Sequence, residues 1–447
     1  MNLLVRIVTV SFLLVFNAYG ESVDSVQSNR IVGKSAANKS TFLGSAAQAY
    51  ELNIPEVKID LHSSISGMHK TGVVYQLPEV IKSSQLAWEP VNAGFATRVR
   101  VNTIQAKRLR IHLVFDKTVP VISFRVQGNQ DTSPIKQLDQ RFVHDNNIWL
   151  PITKGNSAEL EVLVSAKNPP EVSFSIDAIN LIVASQNQNG VTEFAQGILK
   201  TQSLGLAQES EYDLNCWNNI PQYSALQQAA SATAKIEFIK KGSSFLCSGT
   251  LLNDNRSSLI PWFVTANHCL TDQAAANTAS FEWFFQATSC GGFFTDSRDT
   301  QTFGGARLLK TSAKNDYSLL KLNVSPPAGV FHMGWDSNRV NKRSLGWGIH
   351  HPEGDHTMVS EGRITGIGVE VKGQDDKTRL LNEVTYFYGG AEFGSSGSGL
   401  FTMGRGGAKW RGTLYGGPAS DYRIEYYTDF SKFYSDLRPW LARKKHR

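Results

Sequence analysis

The chain is poor in cysteine, with four in 447 residues: Cys216, Cys247, Cys269 and Cys290. No two of them form a Cys-x-x-Cys pair, so the spacing of a structural zinc site is missing and no metal is expected. Long hydrophobic runs are equally scarce. The one at residues 7–16 is too short for a comfortable membrane span, and no other stretch could cross a bilayer. Charge of one sign is also lacking. Forty-five Lys and Arg face 39 Asp and Glu, a net +6 to which the tail Arg443-Lys444-Lys445-His446-Arg447 contributes much. That tail reads as solvated. No basic stripe with interleaved aromatics occurs, which argues against nucleic acid as a partner.

What is present begins with Arg6, the short apolar run and then Ala18-Tyr19-Gly20. Residues 1–20 therefore read as a secretory signal peptide, and the protein is expected to be secreted. Disulfides can persist outside the cell. Four cysteines allow three pairings, and the count alone leaves them open. Residues 21–75 are rich in Ser, Ala and Asn without sustained periodicity, and are expected to form a loosely structured pro-segment.

From 76 to 185 the pattern turns to strands. Arg108-Leu109-Arg110-Ile111-His112-Leu113 places three apolar side chains on one face and three polar ones on the other. Many such short strands between turn signals predict a β-sandwich. Residues 186–215 open with Gln186-Asn187-Gln188-Asn189-Gly190 and read as a linker open to nicking, with Lys200 one candidate cleavage point. Residues 216–447 are β-rich again, with a length suited to two small antiparallel barrels. Phe433, Leu437, Trp440 and Leu441 at helical spacing predict a closing helix over 431–441. The fold class expected is all-β.

The chemistry gathers around Gly394-Ser395-Ser396-Gly397-Ser398-Gly399-Leu400. Small residues let backbone pass close by with N–H groups free to face a substrate oxygen. Upstream, an apolar run ends in Asn267-His268-Cys269, and Asn315-Asp316-Tyr317 sets an aspartate before a strand. Singly, these are a loop, a packing histidine and a turn aspartate. Together their roles interlock. A serine hydroxyl needs a base to take its proton, and His268 has the right chemistry near neutral pH. Asp316 would accept the other imidazole N–H. The chain order His, Asp, Ser is that of chymotrypsin-type proteases.

From about Cys216 to Leu441 the chain resembles the trypsin/chymotrypsin-like serine proteases, and within them the bacterial lysyl endopeptidase and arginyl endopeptidase group. Six blocks carry the likeness: Cys247-Ser248-Gly249-Thr250-Leu251, Thr265-Ala266-Asn267-His268-Cys269, Gly334-Trp335-Asp336, Ile349-His350-His351-Pro352, Gly394 to Ser398, and Tyr415-Gly416-Gly417-Pro418. The resemblance implies a chymotrypsin-like double β-barrel and a serine endopeptidase made as a zymogen, working through an acyl-enzyme without a cofactor. It implies the pairs Cys247–Cys269 and Cys216–Cys290. Its Gly-x-Ser-Gly frame selects Ser396 as nucleophile over Ser395 and Ser398, with the N–H groups of Gly394 and Ser396 as oxyanion hole. Tyr415, Gly416 and Gly417 would pair with substrate backbone. Tyr415 stands where lysyl endopeptidase has histidine.

Two departures matter. Ser395 stands where many trypsin-like enzymes carry an aspartate that pairs with a freed N-terminal amine, so activation would fall to removal of the propeptide. Gly390 stands at the trypsin-type pocket aspartate. The lysyl endopeptidase group instead places its acid after Gly-Gly-Pro, which makes Glu425 the nearest candidate and Asp421 the second. The group's cysteine after Gly-Gly-Pro is missing. A carboxylate there would favour Lys or Arg over acidic and apolar side chains. Residues 76–185 would be the propeptide domain, an intramolecular inhibitor or chaperone, with a retained binding module as the competing reading. His350 and His351, with His356 nearby, invite a metal reading, and the resemblance implies a structural turn. Peptide or protein substrates are expected. A catalytically silent, protease-shaped binding protein and an esterase with the same triad remain as rivals.

Overall fold

Alternating residues in the first half of the chain build two facing sheets. In the computed structural model the strands run, in order, β1 (Ser22–Val23), β2 (Val26–Gln27), β3 (Tyr50–Asn53), β4 (His69–Lys82), β5 (Glu89–Val91), β6 (Gly94–Asn102), β7 (Arg108–Phe115), β8 (Ile122–Gly128), β9 (Lys136–Asp139), β10 (Asn147–Trp149), β11 (Thr153–Lys154), β12 (Ser157–Val164) and β13 (Phe174–Ile182). The described residues are 20–28, 48–61, 68–116, 122–131, 136–165, 173–183, 213–292, 294–373, 375–418 and 420–442. Residues 1–19 of the expected signal peptide (1–20), residues 186–212 of the expected linker (186–215) with Lys200, and the basic tail from 443 lie outside them.

One sheet has the order β3-β6-β12-β8-β9, with β5 on β6, and the other contains β10-β7-β13-β4, with β11 on β7. Leu109, Ile111 and Leu113 from one sheet meet Val99, Val101, Leu160 and Val162 from the other in a single buried cluster. Each such side chain stabilises by about 1.5–3 kcal/mol on burial. This is the predicted sandwich. The polar face of β7 is not solvated, however. Arg108 pairs with Glu237 at 2.5 Å, and Arg110 donates to the Thr278 carbonyl at 2.6 Å, both across to the second half of the chain.

That half contains β14 (Thr233–Lys240), β15 (Ser243–Leu252), β16 (Trp262–Thr265), β17 (Ser280–Trp283), β18 (Thr300–Thr302), β19 (Ala306–Ser312), β20 (Tyr317–Leu322), β21 (Phe331–His332), β22 (Trp335–Asp336), β23 (Leu345–His350), β24 (Met358–Lys372), β25 (Thr378–Tyr388), β26 (Gly399–Gly404), β27 (Gly407–Gly416) and β28 (Ile424–Thr428). Helices α1 (Tyr223–Ala232), α2 (Gln273–Thr278) and α3 (Phe430–Leu441) complete it. The first barrel follows β19-β20-β16-β15-β14-β17. The second follows β27-β26-β23-β24-β25-β28 and closes through β27 on β28. The all-β, two-barrel expectation holds. The predicted closing helix is α3, whose Phe430, Phe433, Leu437 and Leu441 are buried. Its N-terminus is capped by the Asp429 carboxylate, which accepts from Ser431 N–H at 3.1 Å. Trp440 lies only partly buried beside this stripe.

The two halves share one sheet. β4 adds antiparallel to the free edge of β15, with Val73 opposite Ser243, Gly72 opposite Ser244, Lys70 opposite Phe245 and His69 opposite Leu246. Gly72 is required by close approach to β13: a Cβ there would lie 2.1 Å from the Leu181 carbonyl oxygen. Residues 21–75, expected to be loosely structured, carry β1, β2, β3 and the start of β4. β1 pairs with β22 and β2 with β21, so a short strap from the start of the described chain lies on the second half of the chain. Two-residue strands have no period of their own to read. Their structure is supplied by the partner edge, by Ser28 N–H donating to the Val330 carbonyl at 2.9 Å, and by the Lys409–Asp24 ion pair.

Candidate active site

The register of two strands brings the first two site residues together. β16 pairs with β20 so that Thr265 faces Ser318. His268 follows the end of β16 and Asp316 precedes β20, so both fall at one end of the barrel. Asp316 is 1% exposed and has φ of 42°, a left-handed conformation that aspartate tolerates better than most residues. Its two oxygens both serve His268: Oδ1 accepts from the backbone N–H and Oδ2 from Nδ1, each at 2.9 Å. Thr413 of the second barrel donates its hydroxyl to the Asp316 carbonyl at 3.2 Å.

The serine arrives from the second barrel, on the loop between β25 and β26. Ser248 N–H donates to the Ser396 carbonyl at 2.8 Å, and Ser248 Oγ donates to the Gly394 carbonyl at 2.9 Å. Cys247 is joined to Cys269, so the strand touching Ser396 is covalently tied to the residue after His268. Cys216 is joined to Cys290. Gly397 (φ 82°) lets the loop pass against β16, since a Cβ there would lie 2.2 Å from Thr265 Oγ1. Within the loop, Ser395 N–H goes to Glu392, Gly397 N–H to Leu414 and Ser398 N–H to Ser395. Among the described residues no backbone carbonyl accepts from the N–H of Gly394 or Ser396. These are the two N–H groups that the resemblance assigns to an oxyanion hole.

Opening the Cys247–Cys269 link should be costly twice over. It closes a loop with a sequence separation of 22, for which the chain-entropy model gives about 3 kcal/mol. The double variant Cys247→Ser, Cys269→Ser is expected to melt well below the parent in a thermal scan and to lose labelling at Ser396 even while folded.

Tyr415 stands edge-on to His268, ring centres 6.0 Å apart at 87°. Arg379 lies over its other side at 5.0 Å, held by Asp375 through two contacts of 2.8 Å. Sequence reasoning missed Arg379, Asp375 and the two roles of Ser248. Only Ser248 lies in a motif block.

Beyond Gly416 and Gly417, Glu425 sits on β28, 3% exposed. A Cβ on Gly417 would lie 2.9 Å from Glu425 Oε1, so the glycine leaves that carboxyl uncovered from its side. Among the described residues Oε2 has no hydrogen-bond partner, and burial pushes the carboxyl well above its ordinary range. Asp421 is placed differently. It pairs with Arg423 at the surface, at 3.0 Å, which holds its carboxyl low. At Gly390 a Cβ would lie 2.5 Å from the Tyr422 ring, leaving no room for an acid. The three histidines of the metal reading are engaged apart: His350 with Ser395 and Ser360, His351 Nδ1 with the Asp355 carbonyl, and His356 Nε2 with Thr295 Oγ1.

Two β-barrels with a His–Asp pair on one and a serine loop from the other define the architecture of the trypsin/chymotrypsin-like serine proteases. Residues 204–430 match the lysyl endopeptidase C-terminal domain, and residues 72–182 match the lysyl endopeptidase N-terminal domain. The chain belongs to the lysyl endopeptidase family. It is 34% identical over 305 residues to the lysyl endopeptidase of Pseudomonas aeruginosa, a match covering 66% of this chain and 63% of that protein. The chain thus spans less than two thirds of that relative's length. A secreted RxLR effector protein 73 of Plasmopara viticola is 25% identical over 234 residues, covering 51% of this chain and 52% of that one. Among solved structures, the active form of the Rv3671c protease from M. tuberculosis has 14% identity and a TM-score of 0.37, covering 53% of this chain and 90% of that chain. The HtrA-type protease AlgW with a tripeptide has 17% identity and a TM-score of 0.37, covering 50% and 64%.

Proposed function

We propose that the protein is a secreted serine endopeptidase, made as a zymogen, that cleaves after Lys or Arg. The observation that carries this is the His268–Asp316 pair set against a serine loop whose Gly394 and Ser396 N–H groups are unspent. Ser396 Oγ attacks the substrate carbonyl carbon as His268 Nε2 takes its proton, and Asp316 holds Nδ1–H and stabilises the imidazolium. The carbonyl oxygen becomes an anion between the two free N–H groups, each worth on the order of 3 kcal/mol. Collapse passes the proton from His268 to the leaving amine and leaves an acyl-enzyme on Ser396. Water, deprotonated by His268, then releases the acid. Glu425 receives the cationic side chain preceding the scissile bond. Cleavage of a diverse peptide pool, read by mass spectrometry beside Ser396→Ala, tests all of this. Cuts after Lys or Arg that vanish in the variant support it. Cuts after other residues keep the triad and remove Glu425 from the pocket. No cuts by folded, propeptide-free protein favour the silent binding protein.

The N-terminal domain is the propeptide in this reading. Its β4 begins opposite Leu246, next to Cys247 and hence beside the Cys247–Cys269 disulfide. Cutting the linker would free this domain. Lys70→Pro touches β4 only where it pairs with β15, since pairing with β13 begins at Gly72. Loss of about one hydrogen bond there should raise peptide hydrolysis by the uncut chain roughly tenfold. A folded variant without that gain would restrict the domain to assisting folding.

A further inference from the structure

The residue before the nucleophile carries no charge, yet the loop around it is fixed. His350, at the end of β23, is 1% exposed and uses both ring nitrogens. Nδ1 lies 2.7 Å from Ser395 Oγ and Nε2 lies 3.0 Å from Ser360 Oγ. Ser395 Oγ also accepts from Glu392 N–H at 3.3 Å. Ser360 Oγ accepts from Gly390 N–H at 3.1 Å and donates to the Gly390 carbonyl at 2.9 Å. Ser395 and Ser360 are both fully buried. One assignment of protons satisfies every member: Ser395 O–H to Nδ1, Nε2–H to Ser360, and Ser360 O–H to Gly390. The imidazole must then be neutral, and burial pushes its pKa down to about 3.

We propose that His350 is a positioning residue that sets the oxyanion loop through Ser395 and the neighbouring Gly390 segment through Ser360, doing with an uncharged chain what a buried ion pair would otherwise do. The chain spans the segment from Gly390 to Ser395, directly before Ser396 and across Gly394, whose N–H is one of the two free donors. Fixing both ends of that segment fixes the donor between them. A networked, fully satisfied set of hydrogen bonds is the arrangement that holds such a loop in one geometry. No charge need form or find a partner after the chain folds, so the site would be assembled before the linker is cut. This inference rests on the serine endopeptidase reading.

The test uses the full chain, processed as the wild type is, with active sites counted by a fluorophosphonate. Labelling of the wild type at Ser396 checks the enzymatic reading independently. His350→Phe and Ser395→Ala should each lower kcat by up to about a hundredfold, the usual cost of a displacement near 1 Å. KM should stay within about threefold, because ground-state binding does not use the oxyanion hole. Affinity for a peptide aldehyde, whose adduct does use it, should fall in step with kcat/KM. The double variant should lose little more than the worse single one, as residues of one network do. His350→Gln, which can donate and accept, should recover part of the rate. Folded variants with unchanged kcat, or fully additive losses, would overturn the proposal. Should His350→Phe fail to fold, Ser395→Ala decides by the same readings.

Discussion

Ser396→Ala is expected to lower kcat by about 10⁶-fold, leaving only what binding and the oxyanion donors supply. In the proposed mechanism the Ser396 hydroxyl oxygen forms the acyl bond, and no neighbouring serine is placed to substitute. Ser395 Oγ is engaged by His350, and Ser398 is fully buried. His268→Ala should cost about as much, and the double variant no more, because nucleophile and base act as one unit. Asp316→Asn should cost about 10⁴, since the amide favours the wrong imidazole tautomer. The measurement is hydrolysis of a peptide amide with preparations whose active sites have been counted. If Ser396→Ala kept even a hundredth of the activity, another nucleophile would be at work and the triad assignment would fall.

Glu425→Gln should have the second largest effect, and in opposite directions on activity and stability. A cationic side chain bound beside an amide loses its charge partner. Leaving such a charge buried alone costs about 3–5 kcal/mol, so kcat/KM for Lys and Arg substrates should drop about a thousandfold. Substrates with small apolar residues should change far less. In the empty pocket the sign reverses. Burial raises the Glu425 pKa, so the folded protein holds a proton that the unfolded chain releases at a lower pH. That contribution to stability is fully present below the ordinary carboxylate range and is lost as pH rises through the raised value. The glutamine variant carries no such liability. It should melt a few degrees above the parent at pH 8, each kcal/mol being worth about 2–4 °C in a domain of this size, and close to it at pH 4. A variant with unchanged preference would place the pocket acid elsewhere. Equal melting at both pH values would show that Glu425 is hydrated and charged at rest.

The proposed triad was legible because the chemistry it would perform restricts residue type. Nucleophile, base and orienting acid each stood in a short block with little freedom to be anything else. Glu425 as the proposed pocket acid rested in the sequence only on its place after Gly-Gly-Pro; the contrast with Asp421 needed the surface ion pair to Arg423. Nothing local could separate two acids four residues apart, one in the turn before β28 and one on the strand. Arg379 is a surface-type residue by sequence and a buried prop for Tyr415 in the fold, because the β24–β25 hairpin sets Asp375 in its turn against Arg379 at the start of β25. The histidine pair read as a turn, yet His350 reaches 45 positions along the chain to Ser395.

By itself the sequence determined the β-rich class, the sandwich followed by two barrels and the closing helix, and it singled out the three side chains proposed to react. Strand alternation and catalytic residue types are local properties, set by the pleat and by proton affinity. The tertiary structure decided that β4 completes an edge of the first barrel, that the strap β1–β2 lies on β21 and β22, and that Ser248 ties one barrel to the other barrel's nucleophile. Those are matters of edges and close approaches between segments far apart in the chain, and they are settled only when the whole chain packs.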